Sequence, residues 1–182
     1  MPIRQLQYMV YASLMAALIA FGAYVHIPLG PVPIVLQNFF VLLAALLLGS
    51  RWAATSVAIY LFSGAIGLPV FAGAKGGMVH FLGPTGGYLL GFLLAAFIAG
   101  AIAERCSRQL VAEILAVTLG SMAVYAVGVP WLKFTAGLTW GKALLVGMAP
   151  FLIGDVFKAS AAVLLARALR PILARQLMPV SS

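Results

Sequence analysis

Apolar residues fill this chain in long runs, and polar positions are confined to short breaks between the runs. A straight helix needs about 20 apolar residues to cross a bilayer. On that basis six runs can be placed, over residues 6–25, 34–48, 53–66, 88–103, 110–127 and 143–169, within one transmembrane domain covering residues 1–182. The second and third are short, so they must draw flanking residues into the membrane or thin the bilayer locally. Met1 to Gln5 and the apolar run behind them resemble a signal peptide superficially. That run lasts about 18 residues, too long for a typical signal core, so a retained first helix is expected. The pattern predicts an all-α integral membrane protein with six transmembrane helices.

The breaks are unequal. Three connections are apolar or glycine-rich: His26 to Pro33, Gly67 to Gly87, and Gly128 to Gly141 with Trp131 and Trp140. The alternate ones, Gly49–Trp52 and Glu104–Arg108, are terse. Irregular backbone near membrane depth is tolerated where protein or a cavity surrounds it. Long apolar loops on one side of a bundle therefore suggest a lid over an outward-facing pocket, most clearly for the middle loop. For the third, a lid and an interfacial belt of tryptophans both fit.

Composition supports the membrane assignment. The chain is 64% hydrophobic and 8% charged, with mean hydropathy +1.14; a soluble domain is charged at about a quarter of its positions. The net charge of +8 does not indicate nucleic-acid binding, because the basic residues are scattered singly with no basic patch or interleaved aromatics. They sort by side instead. Arg4, Arg51, Arg105, Arg108, Arg167, Arg170 and Arg175 fall at one end of a six-span bundle, and Lys75, Lys133 and Lys142 at the other. Cytoplasmic loops are the Lys- and Arg-rich ones, so both termini are expected in the cytoplasm. Cys106 is the single cysteine, which excludes an internal disulfide and suggests a packing role.

The strongest chemical signal is Asp155, the only aspartate, inside the last apolar run with Lys158 three residues on. Residues three apart share a helix face, and intramembrane charges are costly, usually paired and usually functional. A carboxylate accepts hydrogen bonds and an ammonium donates them, so the pair can grip a ligand that presents both N–H and C=O. A structural ion pair that fixes helix packing is the alternative; a proton relay would recruit further acids, and only Glu113, near one end of the fifth run, is also deep. Gln37 and Asn38 open the second run and, if buried, need partners in a pocket or loop. Thr85 and Tyr88 flank Gly86-Gly87, where backbone can approach a ligand. Ala12, Ala16 and Ala20, spaced by four, form a stripe for close helix approach, either within the bundle or against another membrane subunit. His26 and His80 are solitary and read as loop or interface residues rather than metal ligands. No phosphate-binding loop, dinucleotide fingerprint, zinc motif or nucleophile elbow occurs, so no enzymatic activity, metal or cofactor is expected.

Gly30-Pro-Val-Pro-Ile-Val-Leu-Gln37, Gly67-Leu-Pro-Val-Phe-Ala-Gly73, Leu82-Gly-Pro-Thr-Gly-Gly-Tyr-Leu-Leu-Gly-Phe92 and Gly154-Asp-Val-Phe-Lys158 together resemble the BioY family, whose members are biotin-specific substrate-binding (S) components of energy-coupling factor (ECF) transporters. The resemblance spans nearly the whole chain. It implies a six-helix S-component bundle that captures biotin from outside a prokaryotic cytoplasmic membrane and releases it inward. It also implies a transmembrane coupling (T) subunit and ATP-binding cassette ATPases as partners. The family's biotin-holding aspartate and lysine map onto Asp155 and Lys158, and its docking alanines onto Ala12, Ala16 and Ala20. Gln37, Thr85 and Tyr88 follow more loosely. Biotin's ureido group, two N–H donors and one carbonyl, suits an acid and an amine one turn apart. Its rings and valeryl chain suit an apolar pocket closed by Phe71 and Tyr88. Two rival functions are a self-sufficient secondary transporter and a structural or assembly protein whose Asp–Lys pair only locks helices.

Overall fold

The computed structural model describes residues 3–28, 30–106 and 109–177, with side chains as far as Leu173. Along the chain come α1 (Ile3–Tyr24), β1 (His26–Ile27), β2 (Ile34–Val35), α2 (Gln37–Ala65), α3 (Val79–Leu82), α4 (Gly86–Arg105), α5 (Leu110–Thr135), α6 (Trp140–Gly147) and α7 (Ala149–Leu177). Arg108, counted above for orientation, lies outside the described residues, as does the side chain of Arg175.

Helix α2 holds two of the expected spans. Gln37 and Tyr60 are 23 positions apart, about 35 Å along a straight helix. Yet the Gln37 amide donates to the Tyr60 hydroxyl at 2.5 Å, so the chain must fold back between them. It does so at Gly49, whose φ of 80° and ψ of 179° leave the helical region. Only glycine adopts that conformation without strain. Space demands glycine as well, because a Cβ there would lie 1.8 Å from Glu104 Oε1. The two arms, residues 37–48 and 50–65, correspond to the second and third apolar runs, and the chain makes six passes.

An even number of passes brings the start of α1 and the end of α7 to the same end of the bundle. Contacts agree. Tyr8 of early α1 stacks on Trp52 at 5.6 Å, Ser50 donates to Glu104 at 2.8 Å, and Glu113 at the start of α5 pairs with Arg167 and Arg170 late in α7. This end carries the arginines. At the opposite, loop end, the β1–β2 hairpin pairs His26 with Val35 and Ile27 with Ile34, and the Tyr24 hydroxyl donates to the Pro69 carbonyl. The first arm of α2 is the core, with every residue from 41 to 50 buried. A helix apolar all round fits that central position. The outer surface is equally apolar, with Ile153, Phe157 and Leu164 of α7 about 70% exposed, as expected where lipid is the solvent.

Several sequence expectations change. Helix α5 runs on through Pro130 to Thr135, so the expected outer loop from Gly128 to Gly141 shrinks to residues 136–139. Trp131 is therefore helical, and its indole donates to the Gly83 carbonyl at 3.0 Å rather than sitting free in an interfacial belt. The last run is split at Met148 into α6 and α7. Cys106 is exposed at the end of α4, not packed. Of the two uses the sequence leaves open for the alanine stripe, the structure shows packing within the bundle. Ala12 and Ala16 are buried within the bundle and Ala20 packs against the core.

Candidate functional site

Asp155 enters α7 two turns below its outer end. Its carboxylate is nearly buried and doubly engaged. Oδ1 accepts from Lys158 Nζ at 3.1 Å, and Oδ2 accepts from the Tyr125 hydroxyl of α5. Spacing on one face explains the first contact. The second exists only because α5 packs beside α7. Each ammonium carries three donors, so Lys158 keeps two after serving Asp155.

This pair borders a small inner cavity of about 50 Å³, shared with Asn38, Tyr88, Phe92 and Phe151. Asn38 is buried and its Oδ1 has no hydrogen-bond partner. Since buried polar atoms are almost always satisfied, an acceptor left open in a cavity wall points to an absent donor. The inner cavity thus offers acceptors from Asp155 and Asn38 beside donors from Lys158.

Above it, under the loops, lies a larger cavity of about 340 Å³ lined in part by Gln37, Phe71, Thr85 and Tyr88. Val32, Pro33, Val35, Tyr88 and Phe92 line both. The two are chambers of one cleft, of the size and largely apolar character typical of small-molecule sites. Phe71 seals the outer chamber. It is buried, meets Tyr60, His80 and Phe81 edge-on at 5.6–5.8 Å, and sits in a turn closed by backbone bonds to Lys75 at 2.8 and 3.3 Å. Tyr88 forms the step between the chambers, its hydroxyl donating to the Gly147 carbonyl at the end of α6 at 2.8 Å. On the far side of Asp155 and Tyr125, between α5 and α7, a separate groove of about 390 Å³ faces the lipid. The acid therefore stands in the wall between the cleft and this outer groove.

All six residues expected to touch ligand from the sequence line this cleft: Asp155 and Lys158 the inner chamber, Gln37, Phe71 and Thr85 the outer, and Tyr88 both. Gly86 and Gly87 are required by packing. A Cβ on Gly86 would meet the Phe81 carbonyl at 1.9 Å, and one on Gly87 would meet Trp131 Cβ at 2.2 Å. The pair lets α4 pack against α5 and the loop.

A model of the BioY family matches residues 1–175. The chain belongs to the BioY family. Among its relatives, the "Biotin transporter BioY" of Thermotoga maritima is 44% identical over 163 residues, 89% of this chain and 95% of the relative. The "Probable biotin transporter BioY" of Pyrococcus horikoshii is 42% identical over 158 residues, 87% and 93% of the two chains. In structure the bundle matches the S-component for biotin from an ECF-type ABC transporter, with a TM-score of 0.87 at 34% identity over 94% of this chain and 95% of that one. This BioY chain is thus a multi-pass, all-helical membrane protein with the S-component fold.

Two cleft residues of this BioY chain escaped the sequence-based site. The sequence marks Asn38 only as an amide that needs partners if buried, and it assigns no role to Tyr125. Tyr125 did carry one signal, a hydroxyl in the middle of an apolar span, which must find a partner when buried. Nothing in the sequence indicates that the partner is 30 residues away on α7.

Proposed function

We propose that this chain captures biotin at the outer face of a prokaryotic cytoplasmic membrane, as the substrate-binding component of an ECF-type transporter. One observation carries the proposal: the Asp155–Lys158 pair forms the polar end of a cleft whose remaining walls are largely apolar. Biotin's ureido ring enters the inner chamber, its N–H groups facing Asp155 and Asn38 and its carbonyl facing Lys158. The thiophane ring and valeryl chain extend past Tyr88 into the outer chamber beneath Phe71, with Gln37 and Thr85 at its edge. The names of the relatives support that ligand.

The arginine-rich end, with Arg51, Arg105, Arg167 and Arg170, faces the cytoplasm by the positive-inside rule, and both termini with it. A coupling subunit and ATPases supply the energy for transfer. Because Ala12 and Ala16 are buried, a partner that docks on α1 meets its outer face, where the small residues Ser13 and Ala17 stay exposed. Titrating the purified protein with biotin, with riboflavin and thiamin as controls, tests the proposal. Saturable binding of biotin alone is expected; equal responses to all three, or none, refute it.

A further inference from the structure

The outer chamber has a chemistry of its own. Three side chains capable of positive charge line it, His26, Lys75 and His80, and no carboxylate does. They come from three separate pieces of chain: the β1–β2 hairpin, the Phe71–Lys75 turn and α3. None of the three acids of the sequence is available to them. Glu104 takes Ser50 and Glu113 takes two arginines at the opposite end, while Asp155 is paired with Lys158.

The placement is fixed by backbone. Lys75 exchanges both main-chain bonds with Phe71 across a turn in which Gly73 has φ 77° and Ala74 φ 56°. A point one bond above Gly73 lies 3.7 Å from Lys75 Cε and 3.9 Å from His26 Nε2, so the two side chains converge there. His26 Nδ1 lies 3.1 Å from the Tyr24 carbonyl. That contact turns Nδ1 to the backbone and leaves Nε2 toward the chamber. The His80 ring is held edge-on to Phe71 at 5.8 Å. A lysine ammonium flanked by two imidazoles at one end of a largely apolar cavity, with no acid lining it, calls for an anionic partner.

We propose that Lys75, with His26 and His80, forms an anion subsite that takes the carboxylate of the ligand's valeryl chain. The inference rests on the biotin reading and deepens it. The cleft then measures its ligand from both ends, a ureido group against Asp155 and Lys158 and a free carboxylate against Lys75. It distinguishes free biotin from biotin whose acid is already tied up as an amide. Anionic lipid headgroups are the other source of negative charge near this end of the bundle, and the experiment separates the two.

The test is direct binding of biotin and of biotinamide, its neutral amide, to the full chain in zwitterionic nanodiscs at low salt. The unmodified protein is expected to bind biotin about tenfold tighter than the amide, equivalent to ~1.4 kcal/mol, with a preference that shrinks as salt screens it. Lys75→Gln loses that preference by weakening biotin and sparing the amide; His26→Gln and His80→Gln lose part of it. Equal affinities in the unmodified protein, or a Lys75→Gln variant that weakens both ligands alike or neither, overturn the subsite. A Lys75→Gln effect on biotin that appears only in discs of anionic lipid assigns the lysine to headgroups and also overturns it. If neither ligand binds the unmodified protein, the biotin reading falls, and the subsite with it.

Discussion

Replacing Asp155 by alanine separates a ligand-binding role from a structural one, provided that stability and binding are measured side by side. The substitution strands the Lys158 ammonium and removes the acceptor of the Tyr125 hydroxyl. Stranding one partner of a buried pair costs about 3–5 kcal/mol. The low end applies here, because the Lys158 side chain retains 13% exposure and can turn toward the cleft. The orphaned hydroxyl adds about 1 kcal/mol or more. Asp155→Ala therefore unfolds at a clearly lower temperature in detergent. Biotin loses a charged acceptor worth about 1.5–3 kcal/mol, which is roughly 10- to 100-fold in affinity. Adding Lys158→Met removes the stranded charge, and since apolar replacements of buried ion pairs are often neutral or stabilising by about 1–4 kcal/mol, thermal stability returns. Binding is expected not to, because both polar groups proposed to hold the ureido ring are gone. Tryptophan fluorescence on heating and a biotin titration on the same preparations read the two effects. A stable double variant that binds biotin with the affinity of the unmodified protein refutes the assignment and leaves the pair a helix lock.

Three further outcomes follow from single positions. Asn38→Leu removes an amide whose Oδ1 is already unpaired, so stability holds or rises while biotin binding weakens about tenfold; parallel loss of both would make Asn38 structural. Glu113→Gln leaves Arg167 and Arg170 without their carboxylate and lowers stability by about 3 kcal/mol. Because it lies at the far end of the bundle, biotin affinity in that variant stays within about twofold, checked by titration below its melting point. Gly49→Ala forces a side chain into a glycine-only conformation at a cost of about 1–3 kcal/mol, with the collision against Glu104 in addition. A sharp fall in folded yield on size-exclusion chromatography is expected, and unchanged yield would contradict the hairpin at Gly49.

Much of the architecture was legible because the bilayer imposes a length and a composition. Six apolar runs marked six passes, and Gly49 stood between the second and third. What sequence could not show depends on neighbours. The fifth apolar run is expected to end at residue 127, yet α5 continues through Pro130 to Thr135, since a membrane helix can have the backbone groups a proline frees satisfied by surrounding chain. Ala12, Ala16 and Ala20 announce a close approach but not the partner, and the partner is the chain's own bundle. Asp155 and Lys158 were visible as a pair because their contact is local, three residues along one helix. The contact from Tyr125 and the open amide of Asn38 were not, because each comes from the packing of another helix against that pair.

The two ends of the bundle are held by different chemistry, and that difference gives the molecule a direction. At the arginine-rich end a fully buried Glu113 grips Arg167 at 3.2 Å and Arg170 at 2.5 Å, and Arg170 also reaches the Leu46 carbonyl at 3.3 Å. Ser50 and Glu104 close the same end beside Gly49. Separating these groups exposes charges to a low-dielectric interior, at several kcal/mol. At the loop end the long-range side-chain ties among the described residues include bonds from uncharged groups to backbone carbonyls, Tyr24 to Pro69, Trp131 to Gly83 and Tyr88 to Gly147, beside the backbone pairing of the hairpin and the Phe71–Lys75 turn. Each contributes about 1 kcal/mol, and they span a loop whose residues 73–75 are exposed. Thermal opening therefore favours the loop end, above the cleft, over the ionic end below it. A ligand that enters there meets a closed floor. Moving its cargo on requires work against the Glu113–Arg170 lock or reorientation of the whole body, and the sequence carries no nucleotide-binding motif to supply that work. Such an energetic gap is what a coupling subunit with its ATPases would fill.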